Sequence, residues 1–308
     1  MPACKAQLQP CPTSAVASLA EQSKTYAALL ACQNTVLGII TEPLNLIPSK
    51  IHPPLSIHGA KKEVNEEELD CTVGATIATW QHANSQEESS TVRWVSASAL
   101  ANAPLGFGTT RLMAWAGAHI VCPHFAIELG VMGTARGEGE RAQGTISFAQ
   151  RSDLVLDLDY LNKYYNTKGT GISSLSFNDV YNRCLGFQST LNWHHYQVPQ
   201  SDMKPIIANS ISYTFPAEKE SIQAFTDAAA DVAQLWTELV IASEAEKFEE
   251  EEAKDPRWSQ EHRVALVQKY DVRHEQVVRF DPGNMIAEKL FGKLATKQLL
   301  DMTVGRFN

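Results

Sequence analysis

This sequence predicts an α+β fold in which an antiparallel sheet lies between helical layers. Three observations support that reading. Short segments of alternating apolar and polar residues follow one another from about Thr72 to Ala149, separated only by brief polar or glycine-rich breaks, as successive antiparallel strands do. Apolar residues at helical spacing frame this run, over Lys24 to Ile40 before it and from about Glu218 after it. No internal repeat and no linker-like stretch divides the 308 residues, so a single domain over 24–308 is expected behind a flexible N-terminal tail over 1–23.

The elements follow in order. Lys24 to Ile40 is rich in Ala and Leu and reads as the opening helix. "EPLNLIPSKIHPPLSIHG" is broken by prolines into an extended connection, and "KKEVNEEELD" is a solvated charged loop or short strand. Strands are expected at Thr72 to His82, Val92 to Ser98, Thr110 to Trp115, Phe125 to Val131 and Thr145 to Ala149. "GTARGEGERAQG", 133–144, lacks dinucleotide-fingerprint spacing, and its acidic residues would repel a pyrophosphate, so it reads as a hairpin loop. "SDLVLDLDYLNKYYN" runs into a short helix, "SFNDVYNRCLGFQSTLNWHHYQ" is helix and loop, and 206–215 is one more strand. In the long helix from Glu218, the residues Ile222, Phe225, Ala229, Val232, Trp236 and Leu239 make a core-facing stripe. The acidic "EAEKFEEEEAKD" ends it, and two further helices, near 258–279 and 284–300, close the chain.

Composition limits the function classes. Hydrophobic residues make up 44% of the chain, enough for a core. The net charge of −9 argues against nucleic acid, whose phosphates call for a basic surface. No apolar run approaches the ~20 residues of a membrane span. The six cysteines are scattered with no CxxC pair, which disfavours a zinc site or a disulfide framework. Adjacent His194 and His195 point in different directions and have no ligand-spaced neighbour, so no metal site is expected. Residues 1–20 lack acidic residues, a weak transit-peptide signal set against a plain disordered tail.

Within "CPHFAIELG", Phe125, Ile127 and Leu129 fall on one strand face and His124, Ala126 and Glu128 on the other. A carboxylate that deep in an apolar strand needs either water or a partner. Trp80 and His82 share a face of their own strand. If the strands are near neighbours, Trp80, His82, His124 and Glu128 line one side of the sheet, which would suit a flat conjugated ligand with polar edges. A core histidine and an exposed glutamate is the alternative. Asp281 is placed to cap the last helix, where Lys289, Lys293 and Lys297 form a basic line at i, i+4 spacing, either a solvated face or a docking stripe for an acidic partner.

"YAALLACQNTVLGIITEPLNLIP", "IATWQH", "CPHFAIEL", "RSDLVLDLDYLNKYY", the "LW" helix with its acidic tail, and "KYDVRHEQVVRFD…KLFG" occur in this order. Together they resemble red chlorophyll catabolite reductase, over roughly Thr25 to Gly292. The resemblance implies an α/β/α sandwich with a central antiparallel sheet flanked by helices, similar to the ferredoxin-dependent bilin reductases. It implies reduction of red chlorophyll catabolite, an open-chain tetrapyrrole, to the primary fluorescent chlorophyll catabolite. Electrons would come from reduced ferredoxin, with no bound cofactor, in the chloroplast stroma. Ferredoxin and other chlorophyll-breakdown enzymes are the implied partners, and a homodimer is left open.

The family's pocket glutamate matches Glu128, and its second pocket carboxylate matches Asp281 to within one residue. Plant members carry an asparagine at the position of His124, so substrate orientation is open to change. Trp80 and His82 match a Trp-x-His and are pocket-lining candidates. Glu128 is expected to donate a proton or hold a pyrrole nitrogen, with Asp281 as its partner. Arg151 is the candidate cation for the substrate's acid groups, and the Lys289, Lys293, Lys297 stripe is the candidate ferredoxin docking site. A non-catalytic tetrapyrrole carrier and a bilin reductase acting on another linear tetrapyrrole are the competing expectations.

Overall fold

The computed structural model describes residues 14–59, 70–82, 90–132, 140–169, 171, 174–196, 210–245, 260–281 and 283–306. The charged stretch at 61–69, the hairpin loop at 133–139 and the acidic run at 246–255 lie outside the described residues. Among the described residues, nine strands form one sheet. They are β1 Leu46–Pro48, β2 Leu55–Gly59, β3 Asp70–His82, β4 Val92–Asn102, β5 Phe107–Ala116, β6 His124–Met132, β7 Arg141–Ala149, β8 His194–His195 and β9 Ser210–Pro216. Their order is β1-β3-β4-β5-β6-β7-β9-β8, with β2 also on β3, and every pairing is antiparallel. The central strands run longer than expected: β4 continues to Asn102, and β7 begins at Arg141, inside the stretch read as a loop.

Period-two alternation gives the sheet two different faces. On one, Leu112, Ile127, Ile146 and Ile211 are cross-strand neighbours and all are buried. One residue along, Ser98, Arg111, Glu128, Thr145 and Ser212 form a row on the opposite face. The apolar face packs under α1 Ser14–Gln22, α2 Lys24–Thr41, α4 Phe177–Thr190 and α5 Lys219–Ala245. The short α3 Leu158–Leu161, which runs on into a π-helical turn, adds Tyr160, Tyr164 and Tyr165 to this core. The polar face lies under α6 Gln260–Arg279, α7 Gly283–Phe291 and α8 Lys293–Val304.

Local chemistry sets these elements. Ser23 caps α2 by accepting from the Tyr26 N–H, and a capping box at Ser176 and Asp179 starts α4. The expected stripe on α5 is buried at Phe225, Ala229, Val232 and Trp236, and Trp236 Nε1 donates to the Pro123 carbonyl at 2.8 Å, fixing the approach to β6. Two expectations are corrected. Within the stretch expected as a tail, Ser14–Gln22 is a helix, with Ala15, Val16 and Leu19 buried against the core. The closing helix over 284–300 is two helices, because Gly292 at φ 81 leaves the right-handed helical region between α7 and α8.

Two glycines allow the helical layer to approach the sheet. A Cβ on Gly108 would lie 2.5 Å from the Tyr26 ring, and one on Gly144 would lie 2.3 Å from the Phe225 ring. Gly144→Ala is therefore expected to destabilise the fold by about 1–3 kcal/mol through overpacking, measured by urea unfolding. Unchanged stability would mean that α5 is not seated on β7 as described.

Candidate active site

Between the polar face of the sheet and α7–α8 lies a cavity of ≈ 330 Å³, of the size that holds small molecules. Its floor includes Ser98, Leu100, Thr109, Arg111, Glu128 and Gly130, and its roof includes Asn284, Ile286, Ala287, Thr296 and Leu299. Gly130, which has no side chain, leaves space beside Glu128: a Cβ there would meet only Thr109 and the Gly108 carbonyl, at 3.5 and 3.7 Å.

Glu128 and Asp281 meet here, both held by Arg111. Arg111 stands directly across from Glu128 on the neighbouring strand, and its Nε pairs with Glu128 Oε1. Its Nη2 donates to Asp281 Oδ2 at 2.9 Å. The second Asp281 oxygen makes the expected cap: Oδ1 accepts from the Gly283 N–H at 2.7 Å at the start of α7. Burial opposes the Arg111 charge, but the Glu128 and Asp281 carboxylates outweigh it and raise its pKa above the ordinary value. Beneath Arg111, Gln33 of α2 donates to the Ser98 and Arg111 carbonyls at 3.0 and 2.8 Å, tying the backbone of this row to the opposite layer. Two carboxylates gathered around one guanidinium can accept N–H groups from a ligand and hold an acidic proton close to it.

The other expected residues lie elsewhere. Trp80 pairs with Val95, and that register turns it into the apolar core with the α2 layer, on the opposite face from Glu128. His82 lines a second cleft, with Gln81, Arg93, His119, Val264 and Gln268. The single shared face is thus corrected: alternation fixed the faces within each strand, but the pairing register put Trp80 on the other side from Glu128.

His124 keeps the Glu128 face but is buried beneath α6, outside the cavity. Its Nδ1 accepts the Ala116 N–H at 3.0 Å, so Nε2 carries the proton and donates to Asp271 Oδ1 at 2.9 Å. Burial and the nearby Arg151 charge push the His124 pKa down to about 3, so it is neutral. Arg151 is fully buried and grips both Asp271 oxygens, at 2.8 and 2.9 Å. Its Nη1 donates to the Gly117 and Ile120 carbonyls at 2.9 and 2.7 Å. The substrate-cation expectation for Arg151 is corrected accordingly: this guanidinium is a structural tie with no edge open to a ligand. Burial alone would raise the Asp271 pKa; the His124 hydrogen bond and Arg151 outweigh it and hold it well below the usual carboxylate range.

The expected lysine stripe is also broken up. Lys289 is on α7, Lys293 opens α8 beyond the Gly292 break, and Lys297 pairs with Asp301 at 3.0 Å. All three are exposed, but they do not form one continuous helical line. Among the described residues, no group of three or more His, Cys, Asp or Glu is arranged to hold a metal ion.

Sequence reasoning missed Arg111 and Arg141, both on the cavity. Arg111 interrupts the apolar strand "TTRLMAW" as Glu128 interrupts its own, and that parallel was the available signal. Arg141 falls within the expected loop, although "RAQGTISFA" alternates as a strand does.

The class the fold defines is an α/β/α sandwich around an antiparallel sheet, with a ligand-sized cavity on the polar side. Among solved structures, this fold is shared with phytochromobilin synthase from tomato, determined in complex with biliverdin. The similarity has a TM-score of 0.58 and covers 86% of this chain and 80% of that one, at 14% sequence identity. No family model matches the chain, and no curated protein sequence matches it.

Two predictions follow from the charges. Arg111→Gln is expected to cost about 1 kcal/mol of stability, a loss that shrinks at high salt because these are partly exposed ion pairs; an equal loss at low and high salt would exclude Arg111 as an electrostatic bridge. His124 titrates near 6.5 when unfolded but at about 3 when folded. The unfolded state therefore binds more protons between those values, and stability falls as pH drops through that window, by up to about 1.4 kcal/mol per pH unit. His274, also shifted down by burial, adds to the slope, and the Asp271 contribution is lost at still lower pH. Urea midpoints from pH 7 to 4 should decline less steeply in His124→Asn. Parallel curves would contradict a neutral buried His124.

Proposed function

We propose that the protein is a ferredoxin-dependent reductase of an open-chain tetrapyrrole, with red chlorophyll catabolite as its substrate and the primary fluorescent chlorophyll catabolite as its product, acting in the chloroplast stroma. The observation that carries this reading is the meeting of Glu128 and Asp281 around Arg111, at the edge of a cavity that Glu128 and Arg111 line. These are the two positions that the resemblance to red chlorophyll catabolite reductase marks as pocket carboxylates. The shared fold with phytochromobilin synthase, solved with biliverdin, adds support.

The reaction saturates one conjugated double bond. Two reduced ferredoxins each give up one electron, two protons are taken up, and two oxidised ferredoxins leave. The chain supplies the binding, the orientation and the protons. Pyrrole N–H groups entering between Glu128 and Asp281 find carboxylate acceptors where Arg111 now donates. Glu128, on the rigid sheet, takes up a proton from solvent, passes it to the reduced conjugated system and returns to the carboxylate. Asp281, at the α6–α7 junction, positions the ligand and backs the transfer. Ferredoxin is acidic and so is this protein; the exposed Lys289 and Lys293 on the helices that roof the cavity offer the local positive charge for docking.

A second reading, reduction of another linear tetrapyrrole, is favoured by the biliverdin bound to the structural neighbour. An anaerobic assay with reduced ferredoxin, supplied in turn with red chlorophyll catabolite and biliverdin, separates the two. Loss of red absorbance and gain of blue fluorescence with the former is the expected result. Glu128→Gln should lower turnover by about 10²-fold or more while changing ligand affinity less than about tenfold. Wild-type binding without turnover would make the protein a carrier, and full turnover in Glu128→Gln would remove Glu128 from proton delivery.

A further inference from the structure

Arg141 faces the same cavity as Glu128. The pairing of Glu128 with Thr145 places it four residues further along β7 on the same face, about 13 Å from the carboxylate row at strand spacing. Its charge is uncompensated among the described residues. Among the described residues the Arg141 guanidinium makes no ion pair, and its Nη2 is buried with no hydrogen-bond partner. The adjacent acid does not serve it: Glu140 turns toward the α1–α2 side and accepts from the Ser23 and Thr25 hydroxyls. Arg111, the other cavity cation, already holds two carboxylates. Gln143, next on the same face, lines the cavity beside Arg141, and on the roof Thr296 is buried with its Oγ1 also unpartnered. A buried donor without a partner costs stability in the empty protein and is relieved when an acceptor arrives.

We propose that Arg141 is the anion anchor of this cavity, binding a carboxylate side chain of the ligand while Glu128 and Asp281 take its N–H groups at the other end. This rests on the tetrapyrrole reading above and adds to it a polarity: an acidic group at the Arg141 end and the N–H-bearing, reducible system at the Glu128 end. A charge-assisted guanidinium–carboxylate contact in a largely apolar site discriminates an acid from its ester. Arg141 is therefore the specificity-determining residue for free-acid over esterified ligands.

The test uses biliverdin and its dimethyl ester as probes, titrated by absorbance into the wild type, Arg141→Met and Arg141→Lys. The wild type should bind the acid about tenfold or more tighter than the ester. Arg141→Met should erase that preference while leaving ester affinity unchanged, and Arg141→Lys should retain part of it. Thermal unfolding of the empty proteins supplies a second measurement. Arg141→Met should melt no lower than the wild type, because it removes an unsatisfied buried donor, and should gain less stability from added biliverdin. Equal wild-type affinity for acid and ester would overturn the anchor while leaving the tetrapyrrole reading standing. Failure of the wild type to bind either probe or red chlorophyll catabolite would overturn both. A marked drop in the melting temperature of empty Arg141→Met would show that Arg141 is a structural tie and overturn the anchor.

Discussion

A cluster of charges buried between α6 and the sheet holds the candidate site together. Arg151, with no exposed surface, grips both oxygens of Asp271 on α6, and the neutral His124 of β6 donates to the same carboxylate. One turn further along α6, Glu275 takes Arg93 of β4 at 3.1 Å, and the Arg93 guanidinium lies over the Trp115 ring. Removing one partner from such a buried pair typically costs about 3–5 kcal/mol, because the remaining charge is left uncompensated. These ties set the angle and height of α6 on the sheet. Asp281, two residues past its end, is thereby delivered to Arg111 and, through it, to Glu128.

The sheet divides the labour between its faces. The face toward α1, α2, α4 and α5 is filled by aliphatic and aromatic side chains, and Gly108 and Gly144 let the helices settle close to it. The opposite face carries Ser98, Arg111, Glu128, Thr145 and Ser212 in one row, with Arg141 and Gln143 further along. That polar row is tolerable because α7 and α8 cover it incompletely, leaving a cavity whose charges are paired at one end and, among the described residues, unpaired at the other. A site with a fixed floor on β-strands and a roof of two short helices joined at Gly292 combines a precise acceptor geometry with a wall built from separate pieces.

Glu128 was readable from the sequence because it places a carboxylate on the second face of an inner strand, "HFAIELG", whose other face is wholly apolar. Asp281 was readable as a cap, and it is one, through Oδ1 alone. Trp80 was misplaced because a strand reports which of its residues share a face but not which way that face points once it pairs. His124 and Arg151 looked like ligand groups because their partner, Asp271, lies 147 and 120 residues away in the chain. The lysine line looked continuous because i, i+4 spacing assumes an unbroken helix, and Gly292 breaks it.

The sequence by itself determined the α+β class, the central strands, the core stripe of α5 and the presence of one carboxylate on an inner strand face. These are carried by local periodicity, which burial imposes on neighbouring residues. Only the tertiary structure decided which charged groups meet. Arg111 reaches Glu128 through strand pairing and Asp281 through α6. Arg151 is consumed by Asp271, and Arg141 is left facing the cavity with no counter-charge among the described residues. Each of these outcomes depends on register and helix docking across long sequence separations, where electrostatic energy is set by distance and burial rather than by order along the chain.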